Sequence, residues 1–224
     1  LNKITTKTAC VIIETVQGDA GVRIPDLCYL QKLREKCTET GTLLILDEIQ
    51  TGFGRTGSFF AFEQYGITPD IIITGKGLGG GMPIGAFIAE KKIMDLLKEN
   101  PTLGHITTFG GHPVIASAGV ATVQTILDSK LIKETLEKEA LIRKLLIHPK
   151  IKEIRGKGLM LAAIVESNEM ASKIIHKCLD YGLILFFLLF EGKAIRITPP
   201  LTISKKEIIK GCEILRKVID ELDA

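Results

Sequence analysis

The chain has 224 residues, 46% of them apolar and 25% charged, which is ordinary globular composition and enough for one large domain or a large and a small one. A net charge of only +3 and the absence of tryptophan give no footing for nucleic acid. No apolar run reaches the roughly 18 residues that a membrane-spanning helix needs, so no membrane partner is expected.

Ala9–Ile13 is a continuous apolar run and reads as a buried strand. Pro25–Glu39 has helical spacing, with Leu27, Leu30, Leu33 and Cys37 on one face and Asp26 placed to cap it. Thr42–Leu46, Ile71–Ile73 and Ile84–Ala89 are further strands. Apolar strands alternating with a helix predict a mostly parallel sheet with helices on both faces. Pro113–Asp128 reads as a long helix, and Lys130–Leu146 as a second with Leu131, Leu136, Leu141 and Leu145 as its apolar stripe. Beyond His148-Pro149 the pattern changes to antiparallel strands within Ile151–Val165, a helix over Ser167–Tyr181, strands over Leu183–Phe190 and Ala194–Ile197, and a closing helix over Ser204–Leu222. Ser204 and Glu207 have capping-box spacing. The run Phe186–Phe190 is read as core. A boundary near residue 140 divides an α/β domain (1–140) from a C-terminal α+β domain (141–224).

Five cysteines, Cys10, Cys28, Cys37, Cys178 and Cys212, form no C-x-x-C pair. Dispersed and odd in number, they fit a reducing, cytoplasmic setting better than a disulfide scaffold, and no metal site is expected. The chain opens at Leu1 with neither a charged leader nor a cleavage site, and it reads as a piece of a longer chain.

Three residues carry candidate chemistry. Lys76 follows an apolar strand inside the glycine-rich segment Gly75-Lys76-Gly77-Leu78-Gly79-Gly80-Gly81. The C-terminal ends of strands are where open α/β sheets bind ligands, and a lysine there suits a Schiff base. The spacing is not that of a P-loop. Asp47 ends another apolar strand, where a carboxylate suits a metal or a cationic ring nitrogen; Gln50 stands three residues on. Arg196 lies within Ala194–Ile197, on the opposite face from its flanking isoleucines, and its planar fork suits a carboxylate. Alone, each has a plainer reading: a solvated lysine on a turn, a helix cap or surface ion pair, an exposed arginine.

Together they fall into a known order. Leu46-Asp47-Glu48-Ile49-Gln50-Thr51-Gly52-Phe53-Gly54-Arg55-Thr56-Gly57 closely resembles the signature of the subgroup III aminotransferases of fold type I, which include the ornithine, acetylornithine and 4-aminobutyrate aminotransferases. Pro69–Gly85 is similar to the same family's cofactor-lysine segment. Glu14–Gly21, Thr107–Pro113 and Ile195–Leu201 resemble three more of its segments in order.

The resemblance implies a fold-type I large domain with a C-terminal small domain, and pyridoxal 5′-phosphate as cofactor. It implies transamination between an amino acid or ω-amine and an oxo acid such as 2-oxoglutarate, in a homodimer with shared active sites. Lys76 would be the Schiff-base lysine and proton shuttle, Asp47 the partner of the ring nitrogen, and Gln50 that of the phenolic oxygen. Thr108 would reach the partner subunit's cofactor phosphate, and Glu14 would support the network at the site's floor. Arg196 would bind a substrate carboxylate. In ornithine-type members a glutamate at the position of Asp19 pairs with that arginine. His105 and His112 are expected to pack rather than to react. The matches begin midway along the family pattern, so the glycine-rich loop that grips the cofactor's phosphate is expected outside this chain, and this piece alone is expected to be inactive. Other expectations compatible with the sequence are an aminomutase, racemase or decarboxylase of the same fold, or a non-catalytic fragment.

Overall fold

A computed structural model describes residues 1–102 and 104–222, and these fall into two compact units. One comprises residues 1–15, 25–53 and 60–129; the other comprises residues 16–24, 54–59 and 130 onward.

The first unit is built on a sheet of β1 (Cys10–Glu14), β2 (Leu43–Asp47), β3 (Ile71–Gly75) and β4 (Gly85–Ala89), in that order. β1, β2 and β3 run parallel, and β4 returns antiparallel to β3. α1 (Leu27–Thr40) crosses between the first two strands, and its Leu30, Leu33 and Cys37 pack against Leu44 and Leu46 of β2 and Val11 and Ile13 of β1. Gly41, left-handed at φ 70°, ends α1 and returns its N–H to the last turn. Asp26 occupies the cap position at the helix start, but its side chain accepts no hydrogen bond there. β1 is less buried than its apolar sequence suggests. It lies at the sheet edge, and Ile12, on the face away from α1, is 62% exposed. After α2 (Lys91–Met94), α3 (Pro113–Asp128) starts with proline in its first turn and runs as the sequence predicts.

The second unit holds α4 (Leu131–Leu145) and an antiparallel sheet in the order β5 (Glu153–Lys157), β6 (Met160–Ile164), β8 (Ala194–Ile197), β7 (Phe186–Phe187). α5 (Asn168–Asp180) and α6 (Lys205–Glu221) complete it. Every residue of β6 is buried, because both of its faces are covered. Leu161 and Ala163 join Ile195 and the apolar faces of α4, α5 and α6; Met160, Ala162 and Ile164 join Val16, Val22, Leu188 and Ala194. The predicted capping box at Ser204 and Glu207 is present, with both reciprocal hydrogen bonds formed.

Two sequence expectations fail here. The run Leu183–Phe190 yields only a two-residue strand. Phe186, Phe187, Leu189 and Phe190 are exposed, Phe190 at 82%, and of Phe186–Phe190 only Leu188 is buried. β7 is an edge strand, so an apolar run there is covered only by what lies over it. In α4 the buried positions are Thr135, Lys138 and Ile142, and Leu136 is exposed. Lys138 tolerates burial because its Nζ donates to the Leu201 carbonyl at 2.6 Å and pairs with Glu134 at 3.1 Å.

Candidate active site

The register of the parallel strands assembles the first unit's candidates. Glu14 and Asp47 are direct partners across β1 and β2, and Asp47 is in turn level with Ile73 of β3. Residues level with one another in a sheet share a face. Since Leu44, Leu46, Val11 and Ile13 pack on α1, Glu14 and Asp47 point to the other side. Both end their strands, and Lys76 follows the last residue of β3. The C-terminal edge of three parallel strands therefore carries Glu14, Asp47 and Lys76, the position at which α/β sheets hold ligands.

Local backbone supports that placement. Lys76 opens a short 3-10 turn, Lys76–Gly79, at φ 41°, in the left-handed region that a non-glycine residue rarely adopts. Strain of this kind gathers at functional positions. α3 braces the turn, with Gly119 facing Leu78 and Ile84. Gly80 has no alternative, being left-handed with its Cβ position blocked by the Thr122 hydroxyl.

Polar valences at this edge match a pyridoxal cofactor. Asp47 is half-buried. Its Oδ1 accepts from the Ile49 N–H at 2.9 Å, and its Oδ2 has no partner among the described residues. A carboxylate oxygen so disposed suits a protonated ring nitrogen. Lys76 is exposed, and its amine makes neither a hydrogen bond nor an ion pair among the described residues, which leaves it available to a carbonyl. Gln50 is half-buried in the turn that follows Asp47. Thr108 is exposed in the turn before α3. His105 is exposed and bonds through Nδ1 to the Leu97 carbonyl; His112 stands at the α3 cap position without capping it.

The sequence reading passes over Glu48. It is fully buried and accepts from the Thr15 hydroxyl at 2.8 Å, the Phe62 N–H at 2.9 Å, the Ala61 N–H at 3.0 Å and the Thr51 hydroxyl. The signal was strand alternation: with Asp47 on the site face, the next residue must face the core.

In the second unit, Arg196 is level with Ala162 of β6 and Phe186 of β7, and its Nε donates to the Thr198 hydroxyl at 3.2 Å. Arg55 belongs to the same unit. Its Nη1 donates to the Leu159 carbonyl at 3.1 Å and the Pro199 carbonyl at 2.5 Å. Burial, and then the charge of Arg196, lower the Arg55 guanidinium to about 10, so Arg55 stays cationic at neutral pH. Arg196 forms no ion pair among the described residues, with Asp19 or any other carboxylate. Asp19 instead ties its backbone carbonyl to the Phe190 N–H at 3.0 Å.

Comparison with known proteins shows the family. The family model described as aminotransferase class-III matches residues 1–219. The chain belongs to that family. It is 41% identical over 223 residues to an acetylornithine aminotransferase of Methanopyrus kandleri, covering 99% of this chain and 55% of the relative. A leucine/methionine racemase of Thermococcus litoralis is 37% identical, covering 96% of this chain and 50% of its own. The chain also superposes on the ornithine aminotransferase structure from Toxoplasma gondii that reports partial occupancy of pyridoxal phosphate at the active site. There the TM-score is 0.88 and the identity 32%, over 97% of this chain and 52% of that one. The fold is thus that of the fold-type I class-III aminotransferases, as the sequence motifs imply. The chain spans about half the length of the curated relatives it matches.

Proposed function

We propose that the protein containing this chain is a cytoplasmic pyridoxal-phosphate aminotransferase that moves an amino group from an ornithine- or acetylornithine-like amine to an oxo acid such as 2-oxoglutarate, as a homodimer with shared sites. The observation that carries the reading is the level pairing of Glu14 with Asp47 at the end of parallel strands, with Lys76 just beyond the third strand. Class-III membership and unpaired cysteines support it, as does the absence of any helix long and apolar enough to cross a membrane among the described residues.

When bound, pyridoxal phosphate supplies a carbonyl that takes up the amino group and a ring that accepts electron density from the donor's α-carbon. Lys76 would hold it covalently, and its amine, once free, would carry a proton away from the donor's α-carbon. Asp47 would keep the ring nitrogen protonated through the Oδ2 that has no partner among the described residues. Gln50 would donate to the ring's oxygen, Glu14 would support the floor, and Thr108 would serve the phosphate of the partner subunit's site. Arg196 takes a substrate carboxylate in its fork.

A second reading, racemisation on the same residues, is favoured by the racemase among the relatives. Product analysis of the full-length protein separates the two. Transamination needs an oxo acid and yields a new amino acid, whereas racemisation proceeds without one and only inverts the donor. The 224-residue chain alone is expected to bind the cofactor weakly and to turn over slowly or not at all. Wild-type turnover by that polypeptide would refute this expectation.

A further inference from the structure

We propose that Glu48 is a positioning residue that fixes Asp47, Gln50 and Glu14 as one rigid set. The inference rests on the functional reading above.

A carboxylate with no exposed surface and no cationic partner among the described residues is costly to keep. Four donors fill its acceptor positions. Oε1 takes the Thr15 hydroxyl and the Phe62 N–H; Oε2 takes the Thr51 hydroxyl and the Ala61 N–H. They come from three separate segments: the residue after β1, the turn after β2, and the start of the 3-10 helix Ala61–Tyr65. An apolar side chain would fill the space without holding any of them.

What those donors adjoin gives the network its meaning. Thr15 follows Glu14, Thr51 follows Gln50, and Glu48 itself follows Asp47. Each proposed cofactor contact of the β1 and β2 ends is therefore one bond along the chain from a member of the network. The backbone of Glu48 extends the clamp. Its N–H donates to the Ile73 carbonyl at 2.9 Å, three residues before Lys76, and its carbonyl accepts from the Gly52 N–H at 2.9 Å. A Cβ on Gly52 would stand 2.9 Å from that same carbonyl, so the turn closes only on glycine. Among the described residues the Asp47 side chain accepts a single hydrogen bond, from the Ile49 N–H inside this turn. The aim of its free oxygen thus depends on the turn, and the turn on Glu48.

The test uses the full-length protein and its Glu48→Gln, Thr51→Val and Thr51→Ser variants. Three quantities are measured: thermal unfolding of the apoprotein, the Kd for pyridoxal phosphate, and the 15N chemical shift of ring-labelled cofactor. Glu48→Gln turns an amide N–H toward buried donors, and Thr51→Val removes one donor. Each is expected to weaken cofactor binding about tenfold and to move the ring nitrogen toward its neutral shift, with kcat falling more than KM rises. Thr51→Ser keeps the hydroxyl and restores the wild-type ring-nitrogen shift. If Glu48→Gln does not fold, Thr51→Val against Thr51→Ser makes the same comparison. Lower melting temperatures with wild-type Kd and ring-nitrogen shift would overturn the proposal and leave Glu48 a stability residue. Failure of the underlying reading shows elsewhere: the wild-type protein itself would not bind the cofactor, and both would fall together.

Discussion

The two sheets of this chain use their strands differently. The parallel sheet of the first unit gathers its candidate site residues where strands end, and one of its faces leaves Ile12 bare. The antiparallel sheet of the second unit buries its central strand β6 completely, between two apolar clusters. Parallel strands all deliver their C-terminal ends to one edge, so neighbours such as Glu14, Asp47 and Lys76 converge there by register alone. Antiparallel strands deliver their ends to opposite edges, and what they bring together best is a core. The difference predicts that chemistry and stability can be damaged separately.

The largest effect is expected at the edge of the first sheet. Lys76→Ala in the full-length protein removes the proposed covalent anchor and proton carrier, so turnover should fall by at least about 10²- to 10⁴-fold with the fold unchanged by circular dichroism. A smaller loss would mean that another group moves the proton. Next comes the middle of the second sheet. Leu161, fully buried, should cost about 2–5 kcal/mol of stability as Leu161→Ala, read from urea unfolding, while the attachment of cofactor to Lys76 stays intact. Loss of that attachment at temperatures where the variant is folded would break the separation.

Arg196 tests the proposed contribution of the antiparallel sheet to substrate binding. Arg196→Gln should raise KM for a carboxylate substrate about 10- to 100-fold with little change in kcat. An unchanged KM would remove it from the substrate site. The smallest effect concerns pH. Burial raises the Cys178 and Cys212 thiols from 9.0 to about 11 in the folded chain. The unfolded thiols release their protons first. The stability they contribute is therefore fully present below pH 9 and lost as pH rises through about 11. Cys178→Val should flatten the fall in the unfolding midpoint over that window, and an unchanged slope would assign the fall to other groups.

Much of this was legible in the sequence, for identifiable reasons. Strands and helices were marked by period, and α3 runs as read because proline opens it. Lys76 and Asp47 drew notice because both stand at a strand end, and the family's motif order made them candidates. What escaped depended on neighbours distant in sequence. Phe186–Phe190 has the composition of a core strand, but β7 is an edge. Leu136 lies on the expected stripe of α4, but Lys138 is the residue that turns inward, because the Leu201 carbonyl is there to receive it. Glu48 was hidden by its rank beside Asp47, and only the hydroxyls of Thr15 and Thr51 show which way it points. Position along one element was readable; the partner that rewards burial was not.

The central claim is that the edge formed by Glu14, Asp47 and Lys76 holds pyridoxal phosphate through Lys76. It is tested most directly by treating the full-length protein, loaded with the cofactor, with borohydride and mapping the modified peptide by mass spectrometry. The account predicts a single pyridoxyl group on Lys76, absent from Lys76→Ala. A modification on another lysine, or none on the loaded wild-type protein, would contradict it.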